Sequence, residues 1–368
     1  MPLVPPYIES LRPYEAGRTI ESVRRQYGLN HVAKLASNEN PLGASPKAIE
    51  AMTRDLKGLN LYPNGGLALR EVLAREYDVK LDNVIAGSGS EGIMSNIIRA
   101  FLCDDDEVLT TDAAFIGFQV LAKSRGVKYR TVPYDNWHYD LPALTAQINQ
   151  NTKIIYLANP NNPTGTIFTR AEFDAFYARV PERVLIILDE AYIEYAHNAP
   201  DGVDSLQYRY DNVITLRTFS KAYGLAGIRV GYGFAQEELI AQLLKIKLPF
   251  EPSGLAQAAA IAALKDTDFL GRTLQLNARS LRVLESGLRD LGFKVAPSFA
   301  NFVMVPLASA DAASELTQQL LERGVIVRPL AAFGLPACIR ISTGTIEETE
   351  LCLGAIAQAM KEEAVCQS

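Results

Sequence analysis

The chain has 368 residues, a length that fits two domains better than one small core. Apolar residues make up 48% and charged residues 21%, ordinary for a globular protein, so disorder is not the starting assumption. A net charge of −6 with no basic run argues against a general nucleic-acid binder, and apolar runs of only strand length, such as VLIIL at 184–188, supply no membrane-spanning helix.

The N-terminal MPLVPPYIES lacks the basic start and apolar core of a signal peptide, which implies a cytoplasmic protein. Cys103, Cys338, Cys352 and Cys366 show no metal-ligand or redox spacing and read as unpaired thiols of a reducing compartment. His31, His138 and His197 stand singly, so no metal site is expected.

Residues 1–44 are rich in Pro, Tyr and charge, with a short strand at Val32–Ala36; the first 30 read as an N-terminal arm. After them, short β-branched runs alternate with amphipathic stretches of helical length, the pattern of an α/β domain with a mainly parallel sheet. Strands are predicted at Asn83–Ala86, Glu107–Thr110, Lys153–Leu157, Val184–Leu188, Val213–Leu216 and Val230–Phe234. Helices are predicted at Ser90–Phe101, Phe115–Ser124 and Arg170–Arg179. An Ala-rich helical pattern runs from Leu255 to about Leu291. Strands at Phe302–Val305, Val325–Val327 and Cys338–Ile341 follow, with helices at Ala312–Arg323 and at the end of the chain. The division is thus a large domain over 31–255 and a smaller α+β domain over 256–368 that opens with a long interdomain helix.

In open α/β sheets ligands bind beyond the carboxyl ends of the strands. Those ends carry Gly87-Ser88-Gly89-Ser90-Glu91-Gly92, the loop NPNNPTG at 159–165, Asp189-Glu190-Ala191-Tyr192, and Arg217-Thr218-Phe219-Ser220-Lys221. The glycines and the helix starting near Ser90 read as a phosphate cradle, because they offer close backbone approach, free N–H groups and a positive dipole end, with a tight strand–helix turn as the structural alternative. The same segment matches G-x-G-x-x-G, and Asp112 follows a later strand, which opens a dinucleotide-binding alternative. Asn162 brings an amide donor to the rim. Asp189, after five apolar residues, is a carboxylate in need of a partner, such as a cationic ring nitrogen or, structurally, a helix N-terminus. A lysine at such a rim, Lys221, is an amine placed to attack a carbonyl, and Arg229 could neutralise a phosphate.

In order, NPNNPTG, DEAY, TFSKAYGLAGIR and RIS resemble the fold-type I pyridoxal-phosphate aminotransferases, the aspartate aminotransferase superfamily, over nearly the whole chain. The resemblance implies a seven-stranded, mainly parallel sheet between helices, and pyridoxal 5′-phosphate carried on Lys221 as a Schiff base. It implies that Lys221 moves the proton between Cα and C4′ while Asp189 holds the ring nitrogen protonated. Tyr192 and Asn162 would bond the phenolic oxygen and Phe115 would stack on the ring. Ser90 and Glu91, through backbone N–H groups, with Thr218, Ser220 and Arg229, would hold the phosphate. Tyr62 would reach a neighbouring subunit's phosphate, which implies a homodimer with shared sites.

Within that superfamily LASNENPLG at 35–43, YPNGG at 62–66, GVIVRPL at 324–330, FGLP at 333–336 and IRISTGT at 339–345 resemble the histidinol-phosphate aminotransferases. Those relatives pass an amino group from histidinol phosphate to 2-oxoglutarate in histidine biosynthesis. Here Arg340 would bind the α-carboxylate of glutamate, and Arg328 and Arg340, helped by Tyr14, the substrate phosphate. Phe118 and Phe333 stand where tyrosines are frequent; if they line an aromatic pocket, phenylalanine or tyrosine become alternative donors. Threonine-phosphate decarboxylases share the scaffold and offer a second chemistry. A dehydrogenase would leave Lys221, Asp189 and Asn162 without a role. A regulator built on this scaffold would need an appended domain, for which the short arm has no room.

Overall fold

The computed structural model describes residues 3–11, 13, 17–199, 201, 204–207 and 210–366. A two-residue strand, β1 (Ala33–Lys34), precedes the strands of the central sheet. These are β2 (Val84–Gly87), β3 (Glu107–Thr111), β4 (Lys128–Val132), β5 (Thr152–Ala158), β6 (Leu185–Asp189), β7 (Val213–Thr218) and β8 (Gly231–Phe234). Their order is β2-β8-β7-β6-β5-β3-β4, and only β8 is antiparallel to its neighbours. The sheet is therefore mainly parallel and seven-stranded, in agreement with the expected α/β class. Strand β4 has no counterpart among the strands predicted from sequence. It lies at the sheet edge, and its KYRTV turns Lys128 and Thr131 to solvent, so it never forms an apolar run.

The central strands are apolar throughout because helices cover both faces. Ile154, Tyr156, Leu185 and Ile187 face one core, Ile155, Leu157, Ile186 and Leu188 the other, with the period of two that a strand imposes. The helices are α1 (Pro6–Glu9), α2 (Ile20–Tyr27), α3 (Pro46–Asp55), α4 (Leu67–Glu76), α5 (Gly89–Phe101), α6 (Ile116–Ser124), α7 (Leu141–Ala146), α8 (Arg170–Tyr177), α9 (Glu237–Ile246), α10 (Gly254–Leu264), α11 (Thr267–Asp290), α12 (Ala310–Glu322) and α13 (Ile346–Cys366). Ile93, Met94 and Ile97 of α5, Phe118 of α6 and Ile240 and Leu243 of α9 fill the first core. Leu144 of α7 and Phe173 and Phe176 of α8 fill the second.

The C-terminal unit contains β9 (Phe302–Pro306), β10 (Val325–Ile326), β11 (Arg328–Pro329) and β12 (Cys338–Ser342). An antiparallel sheet, β11-β12-β9, packs Val303, Val305, Ile339 and Ile341 against Leu284 and Leu288 of α11 and Ile356 of α13. The division expected at 255/256 is crossed in both directions. Ala33 and Leu35 belong to the C-terminal core, with β1 paired to β10. Helix α10 instead buries Ala256, Ala259, Ala260 and Ala263 against Leu69 and Leu73 of α4 and Ala48 of α3. The single long helix expected over Leu255–Leu291 is two helices. Asp266 separates them, its backbone leaving the helical region at φ −96° and ψ 59° while its carboxylate accepts the Ser45 hydroxyl at 2.6 Å.

Candidate active site

Strand β2 is antiparallel to β8, and β8 to β7, so β2 runs in the same direction as β5, β6 and β7. The four segments singled out in the sequence therefore meet at one sheet edge. There they line a cavity of about 720 Å³ that also takes in Arg328 and Arg340 of the C-terminal unit.

At one end lies an anion cradle. Helix α5 begins at Gly89, with Ser88 as its N-cap, so the N–H groups of its first turn have no carbonyl of their own helix to bind. Gly231 on β8 makes the cradle sterically feasible: a Cβ there would stand 2.5 Å from Ser90 N. Thr218 Oγ1 accepts from Ser220 N at 3.1 Å and donates to Ser220 Oγ at 3.0 Å, which fixes both hydroxyls at the end of β7. Arg229, in the left-handed region at φ 53°, donates to Ser220 Oγ at 3.4 Å and pairs with the Glu91 carboxylate at 3.1 Å. Glu91 thus brings a side-chain role beside its backbone N–H, because its carboxylate occupies the guanidinium that an incoming phosphate would compete for.

At the other end Asp189 closes β6. It is 5% exposed, and burial pushes its carboxyl up from 3.8 to about 6, against the Tyr156 hydroxyl, the Ala191 N–H and the Lys221 charge, which lower it. The Tyr156 hydroxyl donates to Oδ2 at 2.7 Å and Ala191 N to Oδ1 at 3.2 Å. These donors do not offset burial, so the site favours a further cation at Asp189. Glu190, the next residue, points away into the fold. There its carboxylate takes Arg217 Nε and Nη2 at 2.9 and 2.7 Å, tying the end of β6 to β7.

Between the ends sits Lys221, half-buried, its Nζ 5.6 Å from the centre of the Tyr192 ring. Phe219 and Ala222, both fully buried, anchor the segment, while Thr218, Ser220 and Lys221 turn to the cavity. The Tyr192 hydroxyl accepts from Asn38 Nδ2 at 2.9 Å, which leaves its own proton to donate elsewhere. Asn162 alone of the asparagines in its loop lines the cavity. Its Oδ1 accepts from Arg340 Nη1, so its NH2 is the end that serves as donor to a ligand. Phe115 forms part of the wall.

The arginines face each other: Arg328 and Arg340 are directly opposed on β11 and β12. Arg340, 4% exposed, donates to Ala36 O at 3.0 Å and sits with its guanidinium carbon 5.1 Å from the Phe302 ring centre and 5.8 Å from that of Phe333. Two like charges held across one ladder suit a dianion or a carboxylate between them.

The residues expected to bind cofactor and substrate gather here except two. Tyr62 is 81% exposed, stacks on Phe250 at 4.2 Å and does not reach the cavity of its own chain. Tyr14 lies outside the described residues, although Gly17, three positions on, faces Arg328. The paired phenylalanines part company. Phe333 lines the cavity as expected, whereas Phe118 is fully buried, stacked on Tyr156 at 4.2 Å inside the core, and contributes no pocket wall. Asp112, the acidic residue of the dinucleotide alternative, lies in a separate depression with Tyr134 and Trp137, so it meets no ligand held at the cradle. Sequence reasoning missed Tyr156 and Asn38 as site residues. The first was legible as a polar tip in an apolar strand. The second was legible as an asparagine able to take the left-handed φ of 54° that turns its amide to Tyr192.

A cradle for a dianion, a carboxylate calling for a cation, a lysine between them and donors for a third oxygen fit pyridoxal phosphate in each functional group. The comparisons with known proteins agree. The family described as aminotransferase class I and II matches residues 30–356. A histidinol-phosphate aminotransferase 2 of Pseudomonas fluorescens is 42% identical over 363 residues, 97% of each chain. A histidinol-phosphate aminotransferase of Anaeromyxobacter is 42% identical over 98% of this chain and 100% of its own. Among solved structures, a histidinol-phosphate aminotransferase from Sinorhizobium meliloti in complex with pyridoxal-5′-phosphate superposes with a TM-score of 0.90 at 32% identity, over 98% of both chains. An aspartate aminotransferase from Thermus thermophilus, 22% identical with a TM-score of 0.85 over 98% of this chain and 100% of its own, shares the fold. The chain belongs to the class I and II aminotransferase family.

Proposed function

We propose that the protein is a histidinol-phosphate aminotransferase that uses pyridoxal phosphate to convert histidinol phosphate and 2-oxoglutarate to imidazole acetol phosphate and glutamate. The observation that carries the substrate is the opposed pair Arg328–Arg340 in the same cavity as Lys221 and Asp189. Relatives at 42% identity over nearly the full chain bear the same name.

When bound, the cofactor supplies an electron sink for the pair left at the substrate's α-carbon. The chain's own residues do the rest. Lys221 Nζ would take the Cα proton and deliver it to C4′. Asp189 would hold the ring nitrogen protonated, and that cation would relieve the cost of the buried carboxylate. Tyr192 and Asn162 would donate to the phenolic oxygen, and Phe115 would cover the ring. The N–H groups of Ser90 and Glu91, with Thr218, Ser220 and Arg229, would hold the phosphate. Arg340 would take the carboxylate of glutamate or 2-oxoglutarate. Arg328 and Arg340, with Tyr14, would take the phosphate of the other substrate, so one site would serve both half-reactions. Phe333 on the wall beside Arg340 favours aromatic donors as a second reading.

The reading includes a homodimer. Leu59, Leu61, Tyr62, Leu248 and Phe250 are all exposed, from 49% to 81%, a group of large apolar side chains that a second copy would cover, with Tyr62 reaching that copy's phosphate. No helix among the described residues is long and apolar enough to cross a membrane.

Steady-state rates with histidinol phosphate, phenylalanine and tyrosine as donors to 2-oxoglutarate test the assignment. It requires the highest kcat/KM for histidinol phosphate. A higher value for either aromatic amino acid replaces it with the second reading.

A further inference from the structure

Lys247 ends α9, yet little of it reaches solvent: the residue is 9% exposed. Burial lowers its pKa, with Glu251 opposing and Arg70 reinforcing the effect. An ammonium in such a place needs acceptors. It finds backbone carbonyls only, donating to Gly65 O at 3.0 Å, to Leu248 O at 3.3 Å and to Glu251 O. Three rotatable donors are what this head group has, and all three are used.

Those carbonyls belong to two loops. Gly65 and Gly66 follow Tyr62; residues 248–251 carry Phe250. The loops meet at backbone distance, since a Cβ on Gly65 would stand 2.7 Å from Pro249 O and one on Gly66 3.4 Å from Glu251 O. Beyond the junction Tyr62 and Phe250 stack at 4.2 Å, outside the fold. A stacked pair on two exposed loops would be mobile without an anchor at their base, and the ammonium is placed there.

We propose that Lys247 is a positioning residue: by cross-linking the loops of Tyr62 and Phe250 through their carbonyls, it holds this aromatic pair as a rigid projection for a second copy of the chain. The proposal rests on the homodimer reading above. It adds that cofactor retention in one subunit depends on a buried lysine of the other, which itself touches neither cofactor nor substrate.

The test is a double-mutant cycle on the full-length protein loaded with pyridoxal phosphate, comparing wild type, Lys247→Met, Tyr62→Ala and the double variant. Sedimentation velocity over a dilution series gives the dimer dissociation constant, and equilibrium dialysis gives cofactor affinity. Lys247→Met is expected to weaken both by about tenfold or more, as for the loss of charged hydrogen bonds at a buried site. In the Tyr62→Ala background the same change should add less than about twofold, because the projection is already gone. Lys247→Arg, which keeps donors at the same place, should recover most of the loss; a merely space-filling role would give Met the advantage instead. Full additivity, or an unchanged dimer and cofactor affinity in Lys247→Met, overturns the proposal while leaving the dimer intact. A monomeric wild type overturns the homodimer reading and the proposal with it.

Discussion

Replacing Asp189 by Asn separates what this residue costs the fold from what it does for chemistry. In the cofactor-free protein burial raises its carboxyl from 3.8 to about 6. Between those values the folded state binds the proton more tightly than the unfolded chain, so this residue's contribution to stability falls as pH rises through that window. Above it the full cost applies, and a shift of this size corresponds to about 3 kcal/mol. Asparagine keeps the shape and can still accept the Ala191 N–H, without a charge. The cofactor-free variant should therefore be more stable than wild type by up to about 3 kcal/mol near pH ~8, with the advantage fading towards pH ~4. Urea unfolding of both proteins across that range, followed by circular dichroism, measures the difference. With pyridoxal phosphate bound the order should reverse, since the ring cation stabilises only the aspartate. A difference that does not vary with pH, or a wild type that is the more stable at the alkaline end, would refute the reasoning.

Three further outcomes follow from the geometry. Tyr156→Phe removes the hydroxyl that lowers the pKa of Asp189; the acid limb of cofactor binding, read by protein fluorescence against pH, should move up by about one unit. Gly231→Ala places a methyl 2.5 Å from Ser90 N; thermal melts should show a loss of about 1–3 kcal/mol, and the stabilisation given by added inorganic phosphate should shrink. Arg328→Met should raise KM for histidinol phosphate by about tenfold or more, while the glutamate half-reaction, which rests on Arg340, changes little. Equal losses for both donors would mean that the two arginines are not divided in this way.

The candidate site was legible because each strand end is punctuated by polar residues that a buried sheet seldom carries. Asp189 after LIIL and Lys221 after VITLRTFS each allow a structural reading alone, and it is their meeting at one rim that points to a site. The misses have local physical causes. Strand β4 has one buried residue in five, so no apolar run marks it. The break between α10 and α11 falls at Asp266, whose carboxylate is held by Ser45, a contact 221 positions away that no helical periodicity encodes. Phe118 and Phe333 looked equivalent as residue types. Their separation follows from α6 turning Phe118 inward onto Tyr156, while the loop after β11 leaves Phe333 on the cavity wall. Tyr62 could be associated with the site only through resemblance, because in its own chain it is exposed and lies outside the cavity.

An absorbance titration tests most directly whether Lys221 is the cofactor's attachment point and the proton carrier. Wild-type protein mixed with pyridoxal phosphate should develop the visible band of a lysine-bound carbonyl. Histidinol phosphate added without any acceptor should then convert that band to the pyridoxamine spectrum in a single turnover. Lys221→Ala should bind the cofactor without the band and show no turnover. A Lys221→Ala variant that keeps both the band and full transamination would contradict the account.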